Sequence, residues 1–306
     1  MLSFVIRRVI IIVPMLLIIV TVTWALIRLA PGNFYTGEKK LPAAIEQNLK
    51  QKYGLDKPWY VQYGRMIKNF ARGDFGSSLK YEGQTVNAIL ARTLPVSVTL
   101  GLLAYLLALI VGITSGTLAA LKQNSWSDYS SMALAMLGIS VPNFVLGPLL
   151  VLVFSLTFYW LPPALWGGFP SIHLILPVIT LSAIYMAYIA RLTRSGMLEV
   201  LRSDYIRTAR AKGLSERDVI VKHALRGGLL PVVSFSGPAL AFLITGTVVV
   251  EKVFALPGLG NYFINACFNR DEPLIIGVVA FIAIAVLVFN LLVDISYAFF
   301  DPRIRY

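Results

Sequence analysis

The sequence predicts an all-α integral membrane protein of six spans. Three observations carry this. The chain is 57% hydrophobic and 14% charged, against about a quarter charged in an ordinary soluble domain. Asp, Glu, Lys and Arg are all absent from 9–27, 93–121, 129–190, 227–250 and 273–293. A helix needs roughly 20 apolar residues to cross a hydrocarbon core about 30 Å thick. Four of the gaps hold one crossing each. The long one holds two, divided by the Pro-, Gly- and Trp-rich stretch from Trp160 to Ser171. A soluble all-α protein would need polar faces on its helices, and uncharged stretches of 19 to 62 residues supply none.

In chain order, the first span occupies 1–29. Its apolar stretch exceeds the roughly 7–15 residues of a signal-peptide core, so it is expected to remain. A loop of 30–94 follows. It mixes aromatics, glycines and helix-compatible runs, and reads as a folded cap. The remaining spans are expected at 95–121, 131–159, 172–190, 229–250 and 274–298, with 191–228 as a polar connection and 299–306 as the tail. The formal net charge of +12 belongs to the loops, with no basic block in a soluble domain to suggest nucleic acid. Arg7 and Arg8 precede the first span, and Arg303 and Arg305 follow the last. Positive loops stay inside, so both termini are expected in the cytoplasm. Segment 191–226, with nine basic and four acidic residues, falls on the same side. The 30–94 loop is basic too, yet parity places it outside, and it is just long enough to escape charge control.

Several chemistries find no residues. There is no G-x-x-x-x-G-K-[ST], and Gly73 to Ser78 is glycine-rich without the lysine that reaches phosphate. His173 and His223 lie far apart, and Cys267 is the single cysteine, so neither a zinc site nor a disulfide framework is expected. Asp294, at the end of the last span, is the one ionisable group available for a proton relay. Ion-coupled carriers usually bury more. An intramembrane enzyme, a self-sufficient carrier and a plain scaffold are therefore the weaker classes.

Two polar segments are distinctive. In 191–231, Ser203 stands where it can cap a helix that starts at Asp204 and stops at Gly213. Ser215 to Asp218 reads as a capping box for a second helix. A short basic helix between two spans suits either a groove on a cytoplasmic partner or an anionic lipid surface. In 251–273, Pro257, Gly258 and Gly260 interrupt an apolar stretch. It is either a gate-like loop or a surface turn. Asn269, Arg270 and Asp271 either help gate the outer mouth or cap the sixth span. Gly112 and Gly116, four apart, permit close helix approach.

At these residues the chain resembles the permease subunits of binding-protein-dependent ABC importers, specifically the first of the two permeases in oligopeptide and dipeptide systems. The matching stretches include FVIRRVIIIVP at 4–14, RLAPG at 28–32, GDFGSSL at 73–79, AALKQN at 119–124 and RTARAKGL at 207–214. KHALR at 222–226, LPGLG at 256–260, NRD at 269–271 and DPRIRY at 301–306 continue the order. TGEKKLP at 36–42 leans toward the oligopeptide type. The resemblance implies a type I importer bundle in a bacterial inner membrane, paired with a second permease. Two cytoplasmic ATPases would hold ATP and magnesium, with no cofactor on this chain, and an extracytoplasmic binding protein would deliver peptide. It also implies that RTARAKG is the coupling motif. Arg207, Thr208, Ala209 and Gly213 fall on its named positions, Asp204, Arg210, Ala211, Lys212 and Leu214 complete the ATPase-contacting set, and Arg207 replaces the usual glutamate. Arg226 stands where the family has a later proline.

Overall fold

The computed structural model describes residues 2–30, 47–48, 51, 54, 56–245 and 247–300. TGEKKLP, DPRIRY and most of 31–55 lie outside the described residues. Helix α1 spans Leu2–Leu29, α2 Trp59–Phe70, α3 Val86–Leu121 and α4 Trp126–Ser140. Then come α5 (Asn143–Leu150), wound on as a π-helix through Thr157, and α6 (Ile175–Leu201). The short α7 covers Asp204–Ala211. Beyond it are α8 (Leu230–Thr245), α9 (Val248–Val253), α10 (Leu259–Asn269) and α11 (Glu272–Phe300). Among the described residues, five stretches are long and apolar enough to cross a membrane, and the bent pair α4–α5 makes a sixth if it is one span.

Three boundaries differ from expectation, each for a local reason. The crossing expected as one helix over 131–159 bends by 108° between Ser140 and Asn143. Pro142 has no N–H to donate, and Val141 before it is extended at ψ 114°. Helix α3 starts at Val86 and not at 95, because Thr85 caps it by accepting from Ala88 N at 3.2 Å. Helix α6 runs unbroken past 190 to Leu201, so Arg191, Arg194 and Glu199 ride on a rigid extension of the span.

Helices α1 and α11 form an antiparallel pair with an ion pair near each end. Arg8 meets Asp294 at 3.1 Å, and Arg28 meets Glu272 at 3.7 Å. At 1.5 Å rise per residue, Arg8 and Arg28 stand about 30 Å apart along α1, the thickness of a hydrocarbon core. The two pairs are thus spaced as the two edges of such a core are.

The main core joins α3, α6, α8 and α9 through Leu100, Leu176, Ile189, Leu243 and Phe254. Helices α3 and α6 touch through Gly112 and Gly116. A Cβ on Gly116 would lie 2.4 Å from the Ala190 carbonyl oxygen, and one on Gly112 2.7 Å from the Ile189 side chain. The small-residue spacing is thus the seam of the bundle. Gly116→Leu should destabilise the protein by about 1–3 kcal/mol, since a backbone oxygen cannot rotate away. The check is the thermal midpoint in detergent, and an unchanged midpoint would refute close packing there.

Candidate functional site

At one end of the bundle, α7 lies across the ends of α3 and α6. Its Ile206 and Ala209 are buried with Ala120, Met197, Val219 and Ala224. The other residues from Asp204 to Leu214 are exposed. Of the named set, Ala209 therefore faces the chain's own core, whereas Asp204, Arg207, Thr208, Arg210, Ala211, Lys212, Gly213 and Leu214 form one accessible surface. Arg207 reaches Asp204 at 3.5 Å, and Thr208 Oγ1 donates to the Asp204 carbonyl at 2.9 Å.

The ends of α7 are tied differently from the expectation. Ser203 precedes the helix, but its hydroxyl donates back to the Val200 carbonyl at 2.6 Å instead of capping. Gly213 has φ +79° with open space around it, so it ends the helix by conformation, not by fit. The following turn returns on Arg210, whose Nε donates to Glu216 at 2.8 Å. Ser215 Oγ accepts from Asp218 N at 3.2 Å. The Lys222 ammonium, with the Ser215 hydroxyl, holds the Asp218 carboxyl below its usual value.

The helical run 216–228 closes the platform. A Cβ on Gly196 of α6 would lie 2.2 Å from the Gly228 carbonyl oxygen, so the two backbones are in contact. Arg226 lies in this run, in the Leu225–Gly228 turn. The fully buried Asp128 takes two bonds from Arg194, at 2.6 and 2.7 Å, and one from Asn124 N at 3.0 Å. This fork fastens α4 to α6 and was not singled out from sequence, although Asp128 directly borders the longest charge-free stretch. Buried bidentate pairs are costly to break on one side. Asp128→Asn should lower stability and any transport together, and Arg194→Lys should retain only part of both, lacking the fork. Stability and transport both unchanged in Asp128→Asn would refute the brace.

At the opposite end, the gate candidates separate into two bound clusters. Glu251 is fully buried. Its Oε1 accepts from Ser97 Oγ at 2.6 Å and from Thr247 Oγ1, and its Oε2 from Gly260 N at 2.8 Å. Ser97 Oγ in turn accepts from Leu259 N at 2.9 Å. A Cβ on Gly258 would fall 2.2 Å from the Glu251 carboxyl carbon. Gly258 is therefore needed for approach. Gly260 does not break a helix as expected; it lies in the first turn of α10, while Pro257 is exposed.

Asp271, also fully buried, accepts from Leu79 N at 3.0 Å, Lys80 N at 3.2 Å and Ser78 Oγ. It also accepts from Leu274 N at 3.4 Å, which caps α11. Of the two readings for 269–271, capping is the one Asp271 performs. Asn269 donates to its own helix at Asn265, and Arg270, at φ 54°, ends α10 and reaches the Ala30 carbonyl at 3.2 Å. Glu251 and Ser97 were missed in sequence because a serine within an apolar run carries no visible signal.

Residues 109–306 match the family described as binding-protein-dependent transport system inner membrane component, and residues 1–101 match the N-terminal membrane component of such systems. The chain is 46% identical over 306 residues to the oligopeptide transport system permease protein OppB of Haemophilus influenzae, covering all of both chains. It is 47% identical, with the same full coverage, to OppB of Salmonella typhimurium. The dipeptide transport system permease protein DppB of Bacillus subtilis is 44% identical, covering 95% of this chain and 94% of that one. Among solved structures, a chain of the inward-facing MetNI methionine ABC transporter superposes with a TM-score of 0.56 at 16% identity. It covers 70% of this chain and 96% of that chain. A chain of an amino acid ABC transporter gives 0.51 at 17% identity, covering 69% and 93%.

Proposed function

We propose, given that the chain belongs to the binding-protein-dependent transport system inner membrane component family, that it is a permease subunit of an ATP-driven oligopeptide importer. Full-length identity to two oligopeptide permeases carries this reading. The 44% identity to a dipeptide permease is what favours shorter peptides as a second substrate class. The chain is a multi-pass inner-membrane protein. Its termini and the α7 platform lie in the cytoplasm, as the basic excess in 191–226 supports.

In this reading the chain encloses one translocation path with a second permease, and an extracytoplasmic binding protein delivers peptide to its outer face. Two ATPases grip the exposed surface of α7 and bind the ATP and magnesium themselves. The buried side of α7 is what makes the grip useful. Ile206 and Ala209 join it to Ala120 on α3 and Met197 on α6, so a displacement of α7 reaches two spans at once. Coupling also requires contacts that differ between the two states of the transporter. The turn at Pro257, Gly258 and Gly260 and the corner at Asn269, Arg270 and Asp271 serve as the rim of the outer gate, each braced by a buried carboxylate.

The test is uptake of labelled di-, tri- and pentapeptides in cells lacking other peptide importers. The chain is expressed there with its companion permease, ATPases and binding protein. Uptake should need this chain and functional ATPases, and should favour the longer peptides. A preference for dipeptides would reassign the substrate, and uptake without ATPases would point to a carrier acting alone.

A further inference from the structure

Helix α2 belongs to the loop that sequence alone reads as a folded cap outside the membrane, yet its contacts lie below the membrane edge. The Arg28–Glu272 pair, about 30 Å along α1 from the Arg8–Asp294 pair, is taken as that edge. Trp24, Thr21 and Val20 follow at about 6, 10 and 12 Å beneath it along α1. Tyr63 of α2 shares a 2.8 Å hydrogen bond with Thr21, and its ring centroid lies 5.1 Å from that of Trp24. Met66, Ile67 and Phe70 pack against Val20, Trp24, Ile276 and Ala280. Ala280 itself is eight residues, about 12 Å, below Glu272 on α11.

The faces of α2 agree with that depth. Gln62, Arg65 and Asn69 line a cleft shared with Asp74 and Glu272. Tyr60 and Ile67 lie on the opposite side at 100° per residue; Ile67 packs against α1 and α11, and Tyr60 is left exposed. Trp59 and Tyr60 are 64% and 61% exposed. Large aromatics with a polar atom favour the headgroup boundary, and lysines such as Lys57 and Lys68 extend toward phosphate from there.

We propose that α2 is an interfacial helix embedded in the leaflet at the Arg28–Glu272 edge, with Tyr60 and the exposed side of Trp59, whose ring centroid lies 6.4 Å from that of Trp24, among phospholipid acyl chains and Lys57 and Lys68 at the phosphates. The partner of this surface is lipid. Its role is mechanical: α2 buttresses α1 and α11 and keeps the outer ends of that pair at a fixed depth. The placement is independent of what the protein carries.

Site-directed spin labelling of the assembled transporter tests this, in nanodiscs of phosphatidylethanolamine and phosphatidylglycerol and on a Cys267→Ser background. Labels are placed at Tyr60→Cys and Gly64→Cys; the Gly64 position has open space for a side chain. Ile18→Cys on the exposed side of α1 reports hydrocarbon, and Glu82→Cys on an exposed turn reports water. At Tyr60, the accessibility to oxygen relative to a nickel chelate should exceed that at Glu82 severalfold and approach that at Ile18. Gly64 should fall between. A water-like ratio at both positions would overturn the proposal. Shielding from both reagents would also overturn it, by showing that protein, such as the second permease, covers the helix.

Discussion

Ala209→Glu should leave membrane insertion intact and abolish peptide uptake. Ala209 is 6% exposed and sits with Ile206 against Ala120, Met197, Val219 and Ala224. A carboxylate there either ionises without a partner or forces α7 off its platform. The unpaired charge costs several kcal/mol, and about 3 kcal/mol already lowers the docked population roughly a hundredfold. An eight-residue helix has little stability of its own, so α7 depends on this docking. Arg207→Ala gives the contrast. Arg207 is exposed and pairs with Asp204 at 3.5 Å, and such a surface pair contributes little to folding. Its loss should leave α7 docked, so reduced ATPase co-purification in that variant would report the outer surface alone. Normal uptake by Ala209→Glu would remove α7 from the mechanism.

The spans were legible because charge burial in hydrocarbon is so costly that it empties whole stretches of sequence. Arg8, Arg28, Glu272 and Asp294 sit where those stretches end, and the structure pairs them. The bend at Pro142 was not legible. Pro14, Pro95, Pro148 and Pro238 all lie inside helices, so a proline in an apolar run does not by itself announce a break. The segment from Asp204 to Leu214 was visible as residue types, but the direction each side chain takes was not. Ala209 faces inward only because Met197 on α6 and Ala120 on α3 reach the same place, a tertiary fact. Ser203 shows the same limit, since its hydroxyl had a nearer carbonyl to bond. Asp128 and Glu251 border charge-free stretches, where their partners, Arg194 and Ser97, lie 66 and 154 residues away. No local pattern predicts such a pairing.

Glu251→Ala should cost transport as completely as the α7 variant, from the other end of the molecule. The Glu251 carboxylate gathers three donors, from α3 (Ser97), the start of α9 (Thr247) and the start of α10 (Gly260). Removing it leaves buried donors without an acceptor, at about 1–3 kcal/mol for each that finds no other. The backbone N–H of Gly260 has least freedom to find one. Glu251→Gln separates the charge from the hydrogen bonds. With its oxygen toward Ser97 and Thr247, the amide nitrogen meets Gly260 N–H, donor against donor. Flipped, it offers Gly260 an oxygen, but the two hydroxyls lose their acceptor. One arrangement or the other must fail, so Gln should be intermediate, losing about 1–3 kcal/mol. Because Gly258 approaches the carboxyl group so closely, its turn has no alternative position while Glu251 is present. Thermal midpoints should fall in the order Glu, Gln, Ala, and peptide uptake should follow the same order. If Glu251→Ala kept both its midpoint and its uptake, the turn from Phe254 to Gly260 would be held by apolar packing alone, and the buried carboxylate would have no part in shaping the outer end of the path.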